Sequence, residues 1–161
     1  MKSRKALLVF KLFLILILSV SATSYAVDQN VEITVNPINE LIVSNSDVAL
    51  SINSASAGSD PVAATDTSTT MSYTTNQSDK KITAVLNNPY STGLTLEVEV
   101  ESDSGTSQDP VPLSTTAVDV ITDLSNAADA EQQITYTASA TVEASSGTQS
   151  QIVTFTITDQ I

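Results

Sequence analysis

Glu97, Glu99 and Glu101 alternate along one stretch of the chain. If that stretch is an extended strand, the three carboxylates stand about 6.6 Å apart on one face. They repel one another unless a cation or a basic group sits among them. A calcium site would need more oxygen ligands supplied by a loop, and no D-x-[DN]-x-[DN]-G pattern occurs. A solvated acidic face is the simpler expectation, with Lys80 and Lys81 on an adjacent strand offsetting part of the repulsion. Asp60, Asp66, Asp103 and Asp109 stand in polar stretches, where weak calcium binding at the sheet ends has only background odds.

Histidine and cysteine are both absent, which removes the usual catalytic triads, thiol chemistry and the common zinc sites. Ser78 lies near Lys80 and Lys81, but without S-x-x-K spacing or a nucleophile elbow. The two lysines are expected to cap a turn and face solvent. Pairs of carboxylates suited to glycoside hydrolysis are available in any chain this acidic and carry no information. The expectation is a protein that is not an enzyme and needs no cofactor.

Lys2, Arg4 and Lys5 precede an apolar run from Ala6 to Val20, and Ser24-Tyr25-Ala26 follows with small residues. That order reads as a signal peptide spanning residues 1–26, cleaved before Val27, although the run is nearly long enough for a membrane anchor. Removing it leaves Lys80 and Lys81 against all 18 acidic residues. Such a surface repels nucleic acid and anionic lipid, so neither is an expected partner, and the mature form is not expected in a membrane. Export without cysteine means that packing alone must hold the fold. The mature chain has four large aromatics, Tyr73, Tyr90, Tyr136 and Phe155, so its core buries little area per residue.

The elements that must position these residues read as strands. Val27, Val31, Ile33 and Val35 fall on one face of an extended segment, Val27 to Asn36, with Gln29 a polar departure in the series. Pro37 interrupts the ladder before Glu40 to Ser44. Asp47 to Asn53 alternates, Ser54 to Thr70 reads as a long polar loop, and Met71 to Thr75 is a strand ending in the turn Asn76 to Asp79. Lys81 to Asn87, Leu94 to Glu101, Gln133 to Val142 and Gln151 to Thr158 all alternate. Asp103 to Pro112 reads as turn, and Leu113 to Ile121 as strand in part. Val118, Val120, Ile121 and Leu124 would also fit one side of a short helix.

Short alternating segments rich in Thr and Val, without a convincing long helix, predict an all-β fold: an immunoglobulin-like β-sandwich formed by residues 38–161. Residues 27–37 form an N-terminal extension that can pair within its own domain or reach into a neighbour.

The segment V-D-Q-N-V-E-I-T-V-N-P-I-N-E-L-I from Val27 to Ile42 resembles the mature start of the major subunits of colonisation-factor fimbriae, the alpha class of the chaperone–usher route. T-N-Q-S-D-K-K-I from Thr75 to Ile82 and L-S-T-T-A from Leu113 to Ala117 are similar to that family in the same order. The resemblance implies an incomplete sandwich whose gap is filled by a strand donated from the next subunit, with Val27, Gln29, Val31, Ile33 and Val35 in the donor role. It also implies identical or related fimbrial subunits, a periplasmic chaperone and an outer-membrane usher as partners, and a place in a fimbria on the cell surface after passage through the periplasm. The expected function is therefore a structural subunit that polymerises by donor-strand exchange and contributes to adhesion. The alternative is a monomeric secreted or periplasmic sandwich that binds calcium or carbohydrate through its acidic loops.

Overall fold

A computed structural model describes residues 24–45 and 47–161. The signal-peptide assignment falls mostly on residues 1–23, outside the described residues. The chain divides into two units, residues 1–35 and residues 36–161. In the first, residues 24–35 form no strand, and their side chains are exposed.

The described residues of the second unit form a β-sandwich of nine strands: β1 Asn39–Val43, β2 Ala64–Thr75, β3 Lys80–Leu86, β4 Leu94–Val100, β5 Thr106–Ser107, β6 Val111–Pro112, β7 Val118–Leu124, β8 Ala127–Ala140 and β9 Val153–Asp159. They form a five-stranded sheet, β1-β2-β8-β4-β6, and a four-stranded sheet, β5-β7-β3-β9. All pairings are antiparallel. The order β1-β2-β8-β4 follows A-B-E-D of an immunoglobulin domain, and β3-β9 follows C-F. Beyond β9, where strand G would lie, there is no strand among the described residues.

Alternation builds the core. On β4, Leu96, Val98 and Val100 are buried while Glu97 and Glu99 point outward. Ile82, Ala84 and Leu86 of β3, Met71 and Tyr73 of β2, and Ile134 and Tyr136 of β8 complete the two inner faces. With few aromatic rings, the core depends on branched aliphatic side chains, each contributing about 1.5–3 kcal/mol when fully buried.

Several expectations need correction. Ser54 to Thr70 is not all loop, because β2 begins at Ala64; T-D-T-S-T-T lacks apolar alternation but pairs with β8. Asp47 to Asn53 alternates yet lies in no strand. Asp103 to Pro112 contains the short strands β5 and β6. The helical alternative for residues 118–124 fails because β7 is a strand with irregular pairing. Ile82 and Thr83 of β3 face Ile121 and Asp119, so Val120 is an extra residue, and both Val120 and Ile121 are buried. That bulge imitates helical spacing in the sequence.

A second bulge occurs in β8. Met71 and Tyr73 face Gln132 and Asp129, so β8 carries one residue more than β2 across this interval. The bulge shifts the inward phase, which lets both Asp129 and Gln132 turn inward. Glu131 takes φ 56° there. Asp79, Asp123 and Asn126 also have positive φ, but their short polar side chains tolerate it better than a glutamate does. Glu131 is exposed, so Glu131→Gly is expected to raise stability by about 0.5–1 kcal/mol, the relief of left-handed strain exceeding the entropy cost of glycine. Urea denaturation of the two proteins measures this, and a lower midpoint for the variant would refute it.

Candidate functional site

The outer edge of β9 is incompletely covered. Its inward side chains Val153, Phe155 and Ile157 are only partly buried, whereas Ile82 and Ala84 on the neighbouring β3 are 0% exposed. Leu41 and Val43 of β1 are likewise partly buried beside a fully covered Met71. β1 and β9 approach each other across the sandwich, so the half-covered strands of both sheets lie on the same side. On the opposite side, the β6–β7 region buries Leu113, Val120 and Leu124. The edge of β9 also leaves backbone N–H and C=O groups without a strand partner among the described residues.

Val27, Val31, Ile33 and Val35 are 71–91% exposed, and Gln29 is exposed with them. The segment forms no strand, contrary to the expectation from its alternation, because an extended segment without a ladder partner gains nothing from its pattern. An apolar stripe of this kind left in water is unusual enough to mark an interaction site.

At the end of the sandwich near the start of β9 is a cleft of about 810 Å³, lined by Leu50, Ile52, Tyr90, Leu96, Ala138 and Ala140 among others. Val48, Leu50 and Ile52 supply one wall, so the alternation of residues 47–53 serves a cleft instead of a sheet. The small Ala138 and Ala140 leave the space open. Burial pushes the Tyr90 hydroxyl pKa up.

The densest polar cluster was not anticipated from the sequence. Asp129, 7% exposed, accepts hydrogen bonds from the Tyr73 hydroxyl, from the Ser104 hydroxyl, and from the backbone N–H groups of Ser104 at 2.9 Å and Asp103 at 3.1 Å. Ser102 Oγ lies 2.6 Å from the Tyr73 hydroxyl and accepts the N–H of Gly105 at 2.8 Å. Gly105 is required for close approach: a Cβ there would lie 2.7 Å from side-chain atoms of Ile121 and Leu124 and from the Thr122 carbonyl. Burial pushes the Asp129 carboxyl up, but the hydrogen bonds from Ser104, Tyr73 and the backbone outweigh it and hold its pKa below the usual value. Burial and the bond to Asp129 push the Tyr73 phenol well up. Both shifts run opposite to what an activated phenol or a general base near neutrality needs. The cluster fastens the 102–105 loop to β2 and β8.

The acidic stripe is positioned differently from the expectation. β3, carrying Lys80 and Lys81, belongs to the other sheet and cannot offset Glu97 and Glu99 on β4 or Glu101 just beyond it. Lys80 instead pairs with Asp159, and Lys81 with Asp119 at 3.0 Å; both lysine side chains are largely covered and do not simply face solvent. Among the described residues, no group of three or more acidic side chains is arranged to hold a metal ion. Asp60 accepts the Val142 N–H, Asp66 accepts from Ser68, and Asp103 accepts from Gln132. No protein-family model, no curated protein and no solved structure matches the chain.

Proposed function

We propose that this chain is a structural subunit of a surface fimbria, polymerising when residues 27–35 of one copy add to the outer edge of β9 in the next. The observation that carries this reading is the half-covered edge, with Val153, Phe155 and Ile157 partly buried beside fully buried neighbours. A donated strand would pair the free backbone groups and cover those side chains together. Burial of Val27, Val31, Ile33 and Val35 would contribute on the order of several kcal/mol.

The fold also suggests a direction for the donated strand. The root of the extension, Asn36 to Asn39, lies beside the β2–β3 turn, where β9 also ends: Asn76 contacts Asn36 and Ile38, and Gln160 N–H donates to Asp79 O at 2.7 Å. Each subunit therefore leaves its extension at the pole where its own β9 finishes. A neighbour free of that exit enters from the other pole, which runs its donated strand antiparallel to β9. Contacts of this head-to-tail kind build a filament and not a closed ring.

Deletion of Val27 to Val35 tests the reading. The truncated chain is expected to stay monomeric, and a synthetic peptide of residues 27–36 is expected to raise its melting temperature, by about 2.7 kcal/mol of stability at a hundred times its dissociation constant. A truncated chain as stable as the whole one and indifferent to the peptide would refute strand donation. The cleft favours a second reading, a monomeric secreted sandwich that binds carbohydrate: Tyr90 provides a ring face, with Asn53 and Gln149 nearby as polar groups. That reading expects the stable, indifferent truncated chain, together with a melting temperature that rises on adding sugar.

A further inference from the structure

The β2–β3 turn does more than reverse the chain. Asn76 directs three hydrogen bonds at Asn36 and Ile38, the residues that flank Pro37 where the extension joins the sandwich. Its Nδ2 donates to the Asn36 carbonyl at 2.8 Å, its Oδ1 accepts the Ile38 N–H at 2.8 Å, and its own N–H donates to the Ile38 carbonyl at 3.3 Å. Pro37, between the two gripped residues, has a fixed φ and no N–H to offer. The grip continues one residue further: Thr75 Oγ1 donates to Asn39 Oδ1 at 2.7 Å, and Asn39 Nδ2 donates to Gln77 Oε1 at 2.9 Å. The turn is itself anchored, since Gln77 O accepts the Asn126 N–H at 3.0 Å and Asp79 O accepts the Gln160 N–H at 2.7 Å.

Asn76 is exposed and adds nothing to the core. Ordering an exposed side chain for two bonds costs conformational entropy, so its gain must lie in what it holds. The torsions on either side of Pro37 decide where the extension points, and Asn76 fixes the backbone on both sides of it.

We propose that Asn76 is a positioning residue that sets the direction in which the N-terminal extension leaves the sandwich, and so the angle between consecutive copies in a polymer. The inference rests on the strand-donation reading for its consequence in polymers, but the grip itself belongs to the single subunit. Without the side chain, Pro37 still fixes one torsion while the flanking ones are freed. Copies then join by the same donated strand at variable angles.

The test compares the full chain with Asn76→Ala, Asn76→Asp and Ile33→Asp. Polymers of Asn76→Ala are expected in normal yield, with a persistence length, measured by electron microscopy, that falls several-fold. Asn76→Asp keeps the acceptor for Ile38 and loses the donor to Asn36, so its polymers should fall between. In monomers blocked by Ile33→Asp, adding Asn76→Ala should speed amide exchange at Ile38 by about tenfold or more while leaving the slowest core amides unchanged. Unaltered filament stiffness, or unaltered exchange at Ile38, would overturn the proposal. Folded Asn76→Ala subunits that fail to polymerise would overturn it too, since the residue would then serve assembly and not its geometry. Polymers that persist in Ile33→Asp would refute strand donation, while the Ile38 exchange rate judges the grip separately.

Discussion

On the proposed strand donation, Ile33→Asp is expected to reduce polymer formation by about a hundredfold or more while the subunit still folds. In the single subunit Ile33 is 82% exposed, so the change removes no packing there. Exposed substitutions of this kind usually cost within about 0.5 kcal/mol. In a groove beside Phe155 and Ile157 the same change loses about 2 kcal/mol of apolar burial. It also desolvates a carboxylate among aliphatic side chains, which costs several kcal/mol more. Either loss alone approaches a factor of ten to a hundred in association. A control separates face from charge: Asn30→Asp adds the same charge to the opposite face of the segment, so its polymers are expected to survive. Quantitative electron microscopy and size-exclusion chromatography of the purified protein would check both. Equal loss in the two variants, or none in Ile33→Asp, would place the segment outside any apolar groove.

Strands whose pattern follows one buried face were legible. Leu94 to Glu101 declares itself because every second residue is aliphatic and the rest are polar, and β4 spans Leu94–Val100. Ile82, Ala84 and Leu86 do the same for β3. The first part of β2 was hidden because its inward residue is Thr69, whose hydroxyl is buried without a hydrogen-bond partner. A polar residue in an inward place breaks the pattern that sequence reading depends on. The beginning of β8 was hidden for two reasons: its inward residues are Ala127 and Asp129, and the bulge at Glu131 changes phase within the strand. Conversely, Val48, Leu50 and Ile52 alternate well without forming a strand, because alternation reports a one-sided environment, and here that environment is a cleft.

Of the two surfaces in the proposal, spacing reveals only one. The apolar face of residues 27–35 can be read from spacing, but the edge it would meet cannot. Val153, Phe155 and Ile157 look like any inward triplet; their partial exposure appears only once β9 is known to be the last strand of its sheet. Asn76 lies in a turn that spacing predicts well, yet its grip on Asn36 and Ile38 joins positions about forty residues apart, which no local pattern encodes. The same holds for Asp129, whose partners come from β2 and from the loop after β4.

Asp129 therefore carries the largest expected effect on stability. Asp129→Ala would leave the Tyr73 hydroxyl, the Ser104 hydroxyl and the N–H groups of Asp103 and Ser104 without their acceptor. The bond from Tyr73 is buried and those from Asp103 and Ser104 only partly; an orphaned buried donor costs about 1–3 kcal/mol and water recovers much of the loss at the others, so a net loss of about 3 kcal/mol is expected. Asp129→Asn keeps the shape but presents an amide donor to groups that also donate, and should lose about 2 kcal/mol. The pH dependence identifies the carboxylate as the cause. A carboxyl whose folded pKa is depressed contributes stability that is complete above its unfolded value, about 3.9, and is lost as pH falls through its folded value. The gap in urea midpoint between the natural chain and Asp129→Asn should thus be constant above about pH 5 and narrow at lower pH. The other carboxylates titrate in both proteins, so the gap isolates this one. If the gap stayed the same from neutral pH down into acid, the network would be held by packing, with the charge of Asp129 contributing nothing.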